Sequence, residues 1–274
     1  MKKLEDFANI HLGKRVFVFG TGPTLNDVTR DQLNYIEKNE LSIGVNFSPI
    51  HFTPNYWISG GHPTQLVFAL EHLSDKTKGV FHGNQKVVKT ILEGVDSKNK
   101  DKIVCAGDIN ANKKQNPLPI GKHVSDITGG HNILFGASHL AYIMGFTEII
   151  YVGFEQVNRL HFYNLWPEEK QQDFKNLLTQ LACKYSRFDD VVDCINEVLN
   201  VSEPDDQRWC HFKPVDVCKN LTYKSEGKGH QNYTIFKNYV DQFKSLGINV
   251  KTTATEGICV DAGAEQIELK DILG

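Results

Sequence analysis

The chain has 274 residues, 40% of them hydrophobic and 23% charged, enough for one compact α/β domain with a large core. A net charge of -3 and a pI near 6.4 argue against affinity drawn mainly from nucleic-acid phosphates, although a local basic groove fits within that average. No apolar run approaches a membrane span, the start Met1-Lys2-Lys3-Leu4-Glu5-Asp6 lacks a signal-peptide core, and the six cysteines are scattered without a C-x-x-C, so a cytoplasmic chain without a disulfide framework is expected.

The first element is the most informative. Arg15 to Phe19 reads as a buried strand, and Gly20-Thr21-Gly22-Pro23-Thr24 follows as a glycine-paired turn leading into helix-forming sequence. A strand, turn and helix in that order leave backbone N–H groups unpaired at the helix N-terminus, where the macrodipole favours an anion. The turn is neither a Walker loop, since no Lys follows the second glycine, nor a dinucleotide fingerprint, since Leu25 stands where the third glycine belongs. By itself it is equally a plain strand-to-helix turn with Pro23 at the first helical position.

Further short apolar runs predict strands at Leu41 to Val45, Tyr56 to Ser59, Gly79 to Phe81, Lys102 to Cys105 and Glu148 to Val152. They alternate with amphipathic stretches, as in a parallel sheet covered by helices. Gly130 to Met144 carries Ile133, Leu134, Ala137, Leu140, Ala141 and Met144 at helical spacing, with Gly145 to end the helix. Gly153-Phe154-Glu155 then lies at the C-terminal end of the next strand, where open α/β sheets place their ligands. Residues 164–229 read as a polar helix-and-loop insertion, a lid within the single domain 1–274. The pattern resumes in a helix at Gln231 to Leu246 and a last strand at Ile248 to Thr252. Within the insertion, Cys210-His211 with Cys218 is the nearest approach to a metal site, and reduced thiols are the plainer reading.

Four segments taken together resemble a family: the glycine turn, Gly44-Val45-Asn46, Asp126-Ile127-Thr128-Gly129-Gly130, and the run from Gly145 to Glu155. Their order and rough spacing resemble the bacterial sialyltransferases of glycosyltransferase family 42 and the related 6-hydroxymethylpterin diphosphokinase-like domains. The resemblance covers Arg15 to about Thr255, excluding the polar insertion. It implies a Rossmann-like, mostly parallel sheet flanked by helices, of the GT-A-variant type, with a lid insertion. It also implies a nucleotide-sugar donor and an acceptor hydroxyl, on a glycan or on a hydroxymethylated base of phage-type DNA.

On that resemblance Gly20, Thr21, Gly22, Pro23, Thr24, Asn46, Thr128, Gly129, Gly130, Gly153 and Glu155 form the nucleotide pocket. Tyr163 corresponds to tyrosines that hydrogen-bond the leaving phosphate, and His230 to a histidine acting as general base just before the last long helix, with His161 as the reserve candidate. The plainer readings are a turn residue for Asn46, an aromatic packed under the insertion for Tyr163, and a capping or exposed histidine for His230. Thr21 stands where the sialyltransferase turn has asparagine, which argues against a CMP-sialic acid donor, and Glu155 stands where Asp is common. No D-x-D triplet occurs in the chain, so no metal or other cofactor is expected. Two other readings stay open: a Mg²⁺-dependent diphosphokinase using ATP, and a nucleotide-binding module without turnover.

Overall fold

The structure, a computed structural model, describes residues 2–60, 62–94, 98–106, 127, 132–156, 160–199, 212 and 228–273, and of 228–232 the backbone only. Its centre is one sheet of eight strands: β1 (Arg15–Phe19), β2 (Ser42–Val45), β3 (Tyr56–Ser59), β4 (Gly79–His82), β5 (Ile103–Cys105), β6 (Glu148–Val152), β7 (Asn249–Thr252) and β8 (Glu265–Gln266). Every neighbouring pair is parallel, in the order β5-β4-β3-β2-β1-β6-β7-β8. The chain therefore builds outward from β1 to one edge, returns to lay β6 on the other side of β1, and builds outward again. This is a Rossmann-like α/β architecture, and its topological switch point lies between β1 and β6.

Burial on both faces explains the near-continuous apolar strands. Along β1, Val16 and Val18 enter one core and Phe17 and Phe19 the other; along β6, Ile149 and Tyr151 part from Ile150 and Val152 in the same way. The helices that close the first core are α4 (Ile133–Ile143) and α7 (Lys228–Ser245), through Phe135, Leu140, Phe236, Tyr239 and Phe243. Packing on the second core are α1 (Arg30–Asn39), α2 (Pro63–His72) and α3 (Gln85–Gly94). Fully burying each large side chain contributes about 1.5–3 kcal/mol.

The glycine turn does not run straight into an α-helix. Pro23–Asp27 forms a 3-10 helix in which Leu25 alone is buried, and the chain restarts at Thr29. There Thr29 Oγ1 accepts from the Gln32 N–H at 3.2 Å and Gln32 Oε1 accepts from the Thr29 N–H at 2.9 Å, a capping box that opens α1. Likewise the last long helix starts at Lys228, so Gly229 and His230 lie in its first turn rather than before it.

The helical half of the insertion is a layer of the domain. Helices α5 (Glu168–Lys184) and α6 (Asp189–Leu199) bury Phe174, Leu178, Leu181, Val191, Ile195 and Val198 in the second core. Tyr185 Oη donates to Glu71 Oε1 at 2.5 Å and Lys184 Nζ to Glu71 Oε2 at 2.6 Å, tying α5 to α2. Residues 200–211 and 213–227, including Cys210, His211 and Cys218, lie outside the described residues. Asp189, Asp190 and Asp193 form an exposed acidic face on α6. Two short helices, α8 (Ile258–Asp261) and α9 (Leu269–Leu273), flank β8 near the C-terminus. Among the described residues no helix is long and apolar enough to cross a membrane.

Candidate functional site at the switch point

The loops that leave β1 and β6 at their C-terminal ends meet. Gly20 N–H donates to Val152 O at 2.7 Å and Gly22 N–H to Gly153 O at 2.8 Å, so the glycine turn is stitched to the loop beside it. The approach is close enough that a Cβ on Gly20 would stand 2.1 Å from Gly153 O, and one on Gly22 would stand 1.9 Å from Glu155 Oε2. Gly20 is thus required by the backbone of the neighbouring loop, and Gly22 by the Glu155 carboxyl together with Gly153 O, 2.8 Å from its built Cβ.

Glu155 reaches into this turn. Its Oε1 accepts from the Thr24 N–H at 3.2 Å, while Oε2 is buried and has no hydrogen-bond partner among the described residues. Thr24 Oγ1 is buried without a partner in the same sense. The residue is 6% exposed, and burial, with Asp27 and Glu256 adding repulsion, pushes its carboxyl up to about 7 against the pull of the backbone N–H groups it accepts. Of the N–H groups expected to await an anion, those of Gly20, Gly22 and Thr24 are therefore paired within the protein. No acceptor within the described residues takes the Thr21 N–H.

The Thr21 side chain joins the turn to the segment that follows β6. Thr21 Oγ1 and His161 Nδ1 are 3.0 Å apart, and Phe162 N–H donates to Thr21 O at 2.8 Å. His161 is partly buried, its ring stacked on Tyr163 with centroids 5.0 Å apart, and burial lowers its pKa to about 4 despite the Thr21 bond. Tyr163 itself is fully buried, packed edge-on against Phe47, Phe162, Trp166 and Phe174 and tilted against Phe212. Its ring therefore belongs to the joint between the sheet and α5.

Asn46 closes β2 at the same end of the sheet, in the left-handed region with φ 48°, and its carbonyl accepts from Trp57 Nε1 at 2.8 Å. Gln156, just past Glu155, is also left-handed with φ 49°, and Asn132 Nδ2 donates to its Oε1 at 2.9 Å. The same Asn132 caps α4 by accepting from the Leu134 N–H at 3.0 Å. Spacing in the sequence did not single out Asn132 or Gln156; a polar residue directly before an apolar helix was the available signal for Asn132, and none marked Gln156, which lies 24 residues further on.

The fold thus gathers Gly20 to Thr24, Asn46, Gly153, Glu155 and His161 at one end of three adjacent strands. Thr128, Gly129 and Gly130 lie outside the described residues, and so does the side chain of His230, whose backbone lies in α7. Among the described residues no group of three His, Cys, Asp or Glu side chains is arranged to hold a metal ion. Fold and loop geometry together define a Rossmann-like parallel α/β protein with polar groups converging on its switch point. Comparison with protein-family models, with curated proteins and with solved structures gives no significant match to this chain.

Proposed function

We propose that the protein is a nucleotide-sugar-dependent glycosyltransferase whose donor lies across the C-terminal ends of β1, β2 and β6. The observation that carries this reading is the meeting of Thr21, Thr24 and Glu155 at the switch point, where Glu155 Oε2 and Thr24 Oγ1 are buried with no partner among the described residues. Buried polar atoms in that condition are costly, and a ligand that bonds them relieves the cost.

In the proposed reaction the bond from the sugar's anomeric carbon to the donor phosphate breaks, and the electron pair leaves with the phosphate. The acceptor oxygen forms the new bond and gives its proton to a base. The Thr21 N–H is the donor left to the phosphate, the buried Thr24 hydroxyl joins it only once the turn opens, and Asn46 ends β2 at the same end of the sheet. The base is His230, on the resemblance to family 42 enzymes. His161, with its depressed pKa and its bond to Thr21, serves better to fix the turn than to take a proton at neutral pH. Tyr163 acts as a positioning residue, holding His161 by stacking. The absence of a D-x-D triplet from the sequence favours a reaction without a divalent metal.

The test is thermal stabilisation by nucleotides and nucleotide sugars, with and without Mg²⁺, since a ligand of the native state raises the melting temperature. Stabilisation by a nucleotide sugar without metal is the expected result. A response to ATP only with Mg²⁺ would move the assignment to diphosphoryl transfer, and binding without turnover of any nucleotide sugar would leave a binding module.

A further inference from the structure

The Glu155 carboxyl occupies the place in the glycine turn where an incoming anion would bind. It sits on the Thr24 N–H at 3.2 Å, and Gly22 has no room for even a methyl group beside Oε2. Its backbone is fixed from several sides. The Glu155 carbonyl accepts from the Ile258 N–H at 2.8 Å, and a Cβ on Gly257 would stand 1.9 Å from that same oxygen. Gly153 and Gln156, two residues before and one after, hold left-handed conformations with φ 71° and 49°. The carboxyl is therefore presented to the turn by a constrained loop.

The groups facing it are of one sign or neutral. Asp27, from the 3-10 helix, and Glu256, from the turn after β7, both oppose its ionisation, and the buried Cys259 thiol of α8 lies close enough to feel its charge. No cation contributes to its titration among the described residues. A phosphate brought into this turn would add negative charge to a buried carboxylate already flanked by two carboxylates, and would compete with it for the Thr24 N–H. A neutral carboxyl competes weakly, and its O–H becomes a donor.

We propose that Glu155 gates the turn by its protonation, so that a nucleotide's phosphate binds only with Glu155 neutral and, wherever the free carboxyl is ionised, binding takes up one proton from solvent. This rests on the nucleotide reading above and adds a condition to it. No bond changes beyond the protonation of Oε2. The donor would be held best at slightly acid pH, and above neutrality its affinity would fall as the carboxyl ionises.

The probes are UDP-glucose, GDP-mannose and ADP-ribose, because their phosphodiesters do not titrate near neutrality and any pH dependence belongs to the protein. Binding is measured by calorimetry at pH 6 and pH 8.5, and the number of protons taken up is obtained at pH 8 from buffers of different ionisation heat. The expected result for the wild type is an affinity loss approaching tenfold per pH unit above pH 7, with close to one proton taken up. Glu155→Gln is expected to bind with no such loss and no proton uptake. Binding that is insensitive to pH, with no protons taken up, overturns the gate and leaves the nucleotide reading intact. Lack of binding at both pH values by folded wild type and folded variant overturns both. The proton count on the wild type decides the question even where the variant fails to fold.

Discussion

The α-carbon of Gly20 faces the carbonyl oxygen of Gly153 so closely that a methyl group on it would stand 2.1 Å from that oxygen. The obstacle is backbone on the central strand pair, with Gly20 N–H bonded to Val152 O and Gly22 N–H to Gly153 O, so neither partner can withdraw without opening the sheet. Gly20→Ala is expected to cost about 3 kcal/mol of unfolding free energy through overpacking. Gly60→Ala provides the contrast, because the nearest atom to its built Cβ is Ile133 Cδ1 at 4.0 Å and it should change stability by less than about 0.5 kcal/mol. Urea denaturation of the two variants checks both. Equal effects would show that the β1–β6 approach does not constrain the turn.

Much of this frame is legible in the sequence, and the reason can be stated strand by strand. β1, β3 and β6 are apolar runs of four or five residues buried on both faces and ended by turn formers, so the runs Arg15–Phe19, Tyr56–Ser59 and Glu148–Val152 coincide with the strands. β8 went unread because it is two exposed residues, Glu265 and Gln266, paired to the sheet only through backbone. The helix expected directly after the glycine turn is displaced to Arg30 because Pro23–Asp27 buries one side chain, whereas Thr29 and Gln32 supply a reciprocal cap. That T-x-x-Q spacing was readable. The insertion of Glu155 into the turn was not, because it depends on the register Phe19↔Val152 between residues 133 apart in the chain, and no local pattern encodes it.

Glu155 should also leave a mark on stability in the absence of any ligand. Its carboxyl titrates at about 7 in the native protein, above the ordinary glutamate value, so between those two values the native state holds a proton that the unfolded state has lost. The contribution is fully present below the unfolded pKa and is lost as pH rises through 7. Above that the protein carries an ionised, buried carboxylate at a cost of about 3 kcal/mol relative to the unfolded chain. Glu155→Gln is therefore expected to be more stable relative to wild type at pH 8 than at pH 5. Unfolding free energies at the two pH values measure the difference, and a gap that does not widen with pH would sink the argument.

The acid limb runs the other way, and His82 is one of the histidines that carry it, with His11 and His161. This side chain is fully buried at the end of β4, its Nδ1 accepts from the Asn84 N–H at 3.2 Å, and its Nε2 faces His62 O at 3.4 Å. The neutral imidazole with its proton on Nε2 satisfies both partners, and protonating Nδ1 would break the Asn84 bond. Burial lowers the pKa to about 4, so the unfolded chain binds more protons between that value and 6.5, and stability falls as pH drops through this window. From pH 7 to pH 5 the loss from His82 alone is about 2 kcal/mol. His82→Gln is expected to flatten the acid limb by that amount, whatever its effect on stability at pH 7. Denaturation midpoints measured from pH 7 to pH 5 on both proteins would show it.

Tyr163 separates packing from chemistry. Its ring supports His161 on one side and meets Phe47, Phe162, Trp166, Phe174 and Phe212 around the rest, so it closes the second core beneath α5. Tyr163→Ala should cost about 3–5 kcal/mol, as large aromatic truncations in packed cores do. Tyr163→Phe keeps every ring contact and removes one hydroxyl, for about 1 kcal/mol. If the tyrosine acts on the reaction only by holding His161 and the Thr21 turn in place, Tyr163→Phe retains sugar transfer within a few-fold once the fraction folded is matched. If its hydroxyl instead meets the departing phosphate, the same variant folds normally and loses kcat by two orders of magnitude or more, about 3 kcal/mol of transition-state stabilisation. Full burial of the side chain favours the first outcome, since a hydroxyl without solvent access reaches a ligand only after the surrounding aromatic cluster opens.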